Sequence, residues 1–254
     1  MSTSDDRPHI DEHSDNQQAF YDQADVFETY AKHRARPDNP NDVLERPVFL
    51  DLLGDVNNLD ILDLGCGDGA FGIDAFNLGA RSYTGLDAST KMIRQARVTL
   101  AEHNATLQQI DVATWQPRPS SVDVVTSRLA LNYLPDVATI FQHMFTVLRP
   151  KGRLVISVEH PLITCNFTPL ANGPRTTWQV DTYFVEGPRE HTWLGQPLNK
   201  YHHTLESWLN YVQQAGFNLH TLRESRPRAD NFHDTNEYQR RLRIPLFLFI
   251  AACK

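Results

Sequence analysis

The stretch LDLGCGDGAFG, residues 62–72, decides how this chain is read. Gly65, Gly67 and Gly69 alternate directly after a short apolar run that contains an acid, Asp63. Glycines at this spacing permit positive φ and let a ligand approach bare backbone. The apolar run LDILDLG, residues 59–65, reads as a strand, and AFGIDAFNLG, residues 70–79, as a helix closed by Gly79. A strand, a glycine turn and a helix in that order form a nucleotide-type site. Gly65-x-Gly67-x-x-Ala70 also fits the dinucleotide pattern G-x-G-x-x-G/A.

The same alternation continues downstream. RSYTGLD (81–87) is a second strand. STKMIRQARVTLAEHN (89–104) is a helix with Ser89 as its N-cap. ATLQQID (105–111) and SVDVVTSR (121–128) are further strands, followed by a helix in DVATIFQHMFTVLRPKG (136–152) and a fifth strand in RLVISVEHP (153–161). Alternation of this kind implies a parallel sheet covered on both faces. The order then breaks. Residues 161–203 show no clear period and hold Trp178, Tyr183, Phe184 and Trp193, so they read as an insertion forming an apolar lid or a small satellite core. A helix resumes in HTLESWLNYVQQAGF (203–217), capped by Thr204. NLHTLRES (218–225) and LFLFIAACK (246–254) supply two more strands, joined by RPRADNFHDTNEYQRRLRIP.

Upstream, residues 1–18 are polar without apolar period and read as a disordered tail. Residues 19–57 read as a helical cap, with Phe20, Ala24, Phe27 and Ala31 at helical spacing and a second helix in NDVLERPVFLDLLGD (41–55). The main domain then covers 58–254. The chain has 254 residues, is 41% hydrophobic and carries a formal net charge of −7. That balance weighs against a nucleic-acid backbone as the main partner. The three cysteines Cys66, Cys165 and Cys253 suit neither a disulfide framework nor a metal site. The polar start has no signal-peptide core, and the run IPLFLFIAAC (244–253) is too short to span a bilayer, so a cytoplasmic protein is expected.

LDLGCGDG followed by GLDAS (85–89) resembles class I S-adenosylmethionine-dependent methyltransferases, as do QQIDV (108–112) and LRPKGRLVIS (148–157). The resemblance is specific over about residues 58–160. It implies a Rossmann-like, seven-stranded, mostly parallel α/β sheet with an antiparallel last strand, and S-adenosylmethionine as cofactor. The residues agree with it. Asp63 would repel a pyrophosphate but suits a cofactor with a sulfonium and an ammonium. A carboxylate that only braces the loop is the other reading of Asp63. Asp87, about twenty residues on, is placed to accept ribose hydroxyls.

The resemblance implies further roles. Backbone at Gly65, Cys66 and Gly67 admits the methionine end. Ala88 and Met92 flank the adenine, and Asp111 with Val112 meets its amino group and ring. Ser127, Arg128 and Leu129 end the fourth strand on the methionine side, although Arg128 stands where small residues are common and also reads as an ion-pair residue pointing away. Arg34, or Arg36 beside it, pairs with the cofactor carboxylate or is a solvated surface arginine.

Methyl transfer is an in-line displacement that alignment and desolvation can drive, with a base needed only when the acceptor atom must lose a proton. His160 after the fifth strand is either that base or a brace for the following loop, held by Glu159. Tyr133 lies close to the expected acceptor, and Asn132 takes a place where relatives carry histidine. His202 and His203 do not form a metal pair, since adjacent residues point apart. The expected activity is methylation of a small molecule on oxygen, nitrogen or carbon. An NAD-dependent oxidoreductase and a non-catalytic cofactor-binding subunit are the rival readings. The sequence SRLALNY (127–133) lacks the motif used for exocyclic base nitrogens, which disfavours a nucleobase acceptor.

Overall fold

Period-two alternation in the first strand, β1 (Asp60–Leu64), sorts its residues to two cores. Ile61 goes to one face, and Leu62 and Leu64 go to the other. The computed structural model describes residues 20–34, 36, 39–166 and 177–254, so the expected tail over 1–18 lies outside the described residues. β1 pairs in parallel with β2 (Ser82–Asp87) and β4 (Val122–Arg128). β2 pairs with β3 (Ala105–Gln109), and β4 with β5 (Leu148–Glu159). Among the described residues, β8 (Asn218–Glu224) and β9 (Phe247–Cys253) complete a sheet of seven strands in the order β3-β2-β1-β4-β5-β9-β8. β9 runs antiparallel to both neighbours. This is the Rossmann-like sheet with an antiparallel last strand that the sequence implies.

In chain order the helices are α1 (Ala24–Arg34), a π-helical turn (Asn41–Glu45) running into α2 (Arg46–Leu53), α3 (Ala70–Asn77), α4 (Thr90–Thr99), α5 (Val137–Val147), the single turn α6 (Pro161–Thr164), α7 (Leu205–Gln214) and α8 (Thr235–Arg241). α5 and α7 cover one sheet face with Phe141, Met144, Trp208 and Val212. α2, α3 and α4 cover the other with Phe49, Leu53, Phe71, Ala75 and Ile93. Ser89 and Thr204 cap α4 and α7, as their positions predict. No described helix is long and apolar enough to cross a membrane.

Three local expectations change. α1 buries Val26, beside Phe20 just before it, rather than the Phe27/Ala31 face: Phe27 is half-buried and Ala31 exposed. The region read as aperiodic contains a hairpin, β6 (Gly187–Trp193) and β7 (Gln196–His202). Its Leu198 packs against Phe20 and Val26, so the hairpin and the N-terminal cap share a small core. The long link between the last two strands holds α8. Asn231 ties that link to the cap by donating to the Val43 carbonyl at 3.0 Å.

Candidate active site

The glycine loop begins where β1 stops. The amides of Gly65 and Cys66 both donate to the Leu86 carbonyl, at 2.8 and 2.9 Å, hooking the loop across the end of β2. Gly65 has φ +76°, and a Cβ there would lie 2.3 Å from the Ala130 Cβ. Gly67 has φ +54°, and a Cβ there would meet nothing within 4 Å, so its bare backbone faces open space. Cys66 contributes only backbone to this cradle. Its thiol is buried against Gly85, and burial pushes its pKa well up.

Asp87 locks the cradle to the next strand. One oxygen accepts from the Gly67 amide and the other from the Ser89 amide, both at 2.9 Å. Burial raises its pKa to about 6 against the lowering effect of these amides. Asp63 is spanned by two hydroxyls, Tyr83 at 2.6 Å and Thr126 at 2.8 Å, and so ties three strands together. Burial raises its pKa as well. It still lines the main cavity, so the bracing role and a place beside the ligand coexist. Asp22, from the cap, reaches across to accept from the Ser89 hydroxyl at 2.6 Å and the Lys91 amide at 3.0 Å. This residue was missed in the sequence, where an acid 67 positions from Ser89 carries no local signal.

Two spaces open in front of the loop. A small chamber of about 90 Å³ is bounded by Asp87, Ala88, Asp111, Val112, Leu134 and Leu198. A cavity of about 740 Å³ takes Asp63, Gly65, Gly67, Arg34, Leu129 and Tyr133 into its wall. Met92 lines this larger space and not the chamber that holds Ala88 and Val112. Arg34 is bridged to Asn39 and Asp42, both at 3.2 Å, while remaining on the cavity wall.

The structure moves Ser127 away from the site and decides between the two readings given for Arg128 and for His160. Ser127 is fully buried and donates to the Leu64 carbonyl at 2.8 Å, facing neither space. Arg128 also reaches the cavity wall, but its guanidinium is taken by the buried Glu45 and stacked near the Phe49 and Phe71 rings. It is the ion-pair residue, and its partner comes from the cap. His160 lines neither space. Its Nδ1 accepts from the Leu162 amide at 3.1 Å, capping α6, and its Nε2 lies 3.0 Å from Glu224. With both ring nitrogens engaged it braces the chain turn, and its holder is Glu224 rather than Glu159.

Glu159 instead faces the cavity with a partner that carried no sequence signal. Its Oε1 accepts from Lys200 Nζ at 2.7 Å, and its Oε2 is buried without a hydrogen-bond partner. The Tyr133 hydroxyl sits 3.2 Å from the Tyr21 hydroxyl, and burial keeps Tyr133 protonated well above neutrality. Asn132 serves the frame, accepting from the Glu159 amide at 2.8 Å. The four insertion aromatics separate: Trp193 lines the cavity, Trp178 donates to the Leu162 carbonyl at 2.9 Å, Tyr183 packs on His202, and Phe184 is exposed.

An acid-rimmed, bare-backbone cradle fits S-adenosylmethionine. Asp63 and Asp68 on the cavity wall would repel a dinucleotide's pyrophosphate, whereas the open backbone at Gly67 leaves room for a ligand chain. The comparisons agree. A family model described as a methyltransferase domain matches residues 55–195. The S-adenosylmethionine dependent methyltransferase from Mesorhizobium loti is 33% identical, with a TM-score of 0.78 over 87% of this chain and 100% of that one. A Haemophilus influenzae protein of undescribed activity is 30% identical over 250 residues, covering 94% of this chain and 98% of that protein. The trans-aconitate 2-methyltransferase of Escherichia coli is 32% identical over 108 residues, covering 42% of this chain and 41% of that enzyme. With a glycine cradle on the first strand, an acid closing the second and this sheet order behind them, the chain belongs to the methyltransferase-domain family and is an S-adenosylmethionine-dependent methyltransferase.

Proposed function

We propose that this enzyme methylates a small molecule held in the cavity of about 740 Å³ beside the glycine cradle. The observation that carries this reading is the cavity itself. Its volume lies in the range of small-molecule sites, and its walls come from α1, the β6–β7 hairpin and α8 as well as from the sheet edge. The partial match to a methyltransferase named for trans-aconitate supports a small acceptor, and a net charge of −7 does not favour nucleic acid.

In this reading Asp87 accepts the ribose hydroxyls, and Ala88, Asp111 and Val112 receive the adenine, with Met92 on the neighbouring wall. Backbone at Gly65, Cys66 and Gly67, together with Asp63, receives the cationic methionine end. Arg34 faces the cofactor carboxylate. S-adenosylmethionine, when bound, supplies an electrophilic methyl group and a neutral leaving group. The chain's task is then to exclude water and align the acceptor. Tyr133, held protonated, donates to the acceptor and orients it. Where the acceptor atom carries a proton, the Glu159 carboxylate on the cavity wall is the group assigned to take it.

The test is transfer of a tritiated methyl from cofactor to a panel of small acceptors, run beside total RNA and total protein. Label appearing in small molecules supports the reading, and label confined to RNA or protein refutes it. Binding of S-adenosylhomocysteine but not NADH, by calorimetry, tests the cofactor assignment separately.

A further inference from the structure

α8 and the residues after it put three arginines around one partly open space. Arg240, Arg241 and Arg243, with Trp178 and Ile244, line a cavity of about 190 Å³. No acid is among the described residues that line it. Arg240, Arg241 and Leu246 also line the acceptor end of the cavity of about 740 Å³, so the two spaces share a wall.

The arginines are under-neutralised. Glu237 is the carboxylate that meets Arg240 and Arg241: its Oε2 accepts a hydrogen bond from Arg240 at 2.7 Å and makes only a 3.6 Å ion-pair contact with Arg241. The Nε atoms of Arg240 and Arg241 are buried with no acceptor. Burial and the neighbouring Arg240 both lower the Arg241 pKa. The Arg240 side chain keeps 37% of its surface and Arg241 15%, while the unmet donors at their buried Nε atoms are costly. The composition points the same way: residues 223–243 hold six arginines against four acids, in a chain of net charge −7. Three other cations facing the main cavity already have a carboxylate partner. Arg128 meets Glu45, Lys200 meets Glu159, and Arg34 meets Asp42.

Resting on the small-molecule reading above, we propose that Arg240, Arg241 and Arg243 form an anion subsite for the methyl acceptor, which therefore carries an oxyanion, a carboxylate or a phosphate monoester. The volume accommodates such a group with a few attached carbons, since a water molecule occupies about 30 Å³. Planar guanidinium forks match the oxygens of either anion. The subsite anchors one end of the acceptor and leaves the reacting atom to lie toward the glycine cradle.

Calorimetric titration of the full chain tests this, at low salt, with and without saturating S-adenosylhomocysteine. The probes are citrate, glycerol 3-phosphate and the neutral triethyl citrate. The expected result is binding of at least one anion and not of the ester. Arg241→Gln and the double variant Arg240→Gln/Arg241→Gln should weaken anion binding tenfold or more, and their affinity for S-adenosylhomocysteine should stay within twofold. Citrate binding alone assigns a carboxylate, and glycerol 3-phosphate alone assigns a phosphate. Arg243→Gln, at an exposed position, provides a variant that spares the Arg240–Arg241 pair. Absence of anion binding to wild type, or affinity unchanged in all three variants, overturns the subsite. Failure of S-adenosylhomocysteine to bind overturns the cofactor reading instead, and the titrations without it still decide the subsite.

Discussion

Arg128 at the end of β4 and Glu45 in the N-terminal cap, 83 positions apart, form a two-point ion pair, with Nε 3.0 Å from Oε1 and Nη2 on Oε2. The Glu45 side chain has no exposed surface, and the Ser157 hydroxyl also donates to its Oε1 at 2.6 Å. This contact fastens the cap to the sheet directly behind the site. Removing one partner of a buried pair leaves the other charge unmatched. Glu45→Ala should therefore lower stability by about 3–5 kcal/mol, read as a shift in the urea midpoint. A loss under 1 kcal/mol would mean that the cap detaches without cost to Arg128.

Asp87→Ala should weaken S-adenosylhomocysteine binding by about 1.5–3 kcal/mol, the scale of hydrogen bonds to a charged group. The ionised carboxylate is the form that accepts ribose hydroxyls, and burial sets its pKa at about 6. Wild-type affinity should thus be flat above that value and fall as pH drops through it. Asp87→Asn, with no charge to lose, should remove the pH dependence. Isothermal titration between pH 5 and 8 checks both, and an affinity that rises on acidification would exclude Asp87 as the ribose ligand.

The two glycines of the cradle should separate stability from binding. Gly65→Ala combines φ +76° with a methyl 2.3 Å from Ala130, so it should cost several kcal/mol of stability. Gly67→Ala has φ +54° with open space around it, so it should cost about 1–2 kcal/mol. Its methyl, however, enters the space assigned to the cofactor. Thermal melting should show the larger loss for Gly65→Ala, while calorimetry should show a clear loss of S-adenosylhomocysteine affinity in Gly67→Ala despite its milder folding defect.

His160→Ala should cost about 1 kcal/mol from the lost α6 cap and leave S-adenosylhomocysteine affinity unchanged. The mostly exposed Glu224 contact adds little. Once an acceptor is in hand, the pH–rate profile should be the same in wild type and His160→Gln. A displaced limb near neutrality would restore His160 as a proton-transfer group.

Acid should destabilise the fold through its histidines. Burial lowers the pKa of His203 to about 4 and lowers those of His160 and His202 as well. A depressed histidine contributes stability that is complete above its unfolded value near 6.5 and is lost as pH falls through its folded value. Asp87 acts in the opposite sense, because its raised pKa lets the native state take the proton first and relieves its burial cost on acidification. His203→Phe removes one of the opposing groups and should flatten the stability loss between pH 6.5 and 4. Urea midpoints at pH 4.5 and 7 measure it, and an equal loss in the variant would place the acid sensitivity elsewhere.

Local signals in the sequence determined the sheet and the cradle. Period-two runs ending in a glycine turn or an acid, and helices with Ser89 and Thr204 at their caps, depend on neighbours a few residues away. Gly65, Gly67, Asp63 and Asp87 were legible for that reason: a turn and two strand ends define their places. The β6–β7 hairpin was not legible, because it buries Leu198 against Phe20 and Val26 from the far end of the chain, and the half-buried side of β6 carries polar Arg189 and His191 where an apolar alternation would be expected. Tertiary structure alone decided which way polar side chains turned. Arg128 faces Glu45, Ser127 faces the Leu64 carbonyl, and His160 is spent on Leu162 and Glu224. Each choice depends on a partner too far away in sequence for any local pattern to carry, and a buried polar group must take the partner that the packing provides.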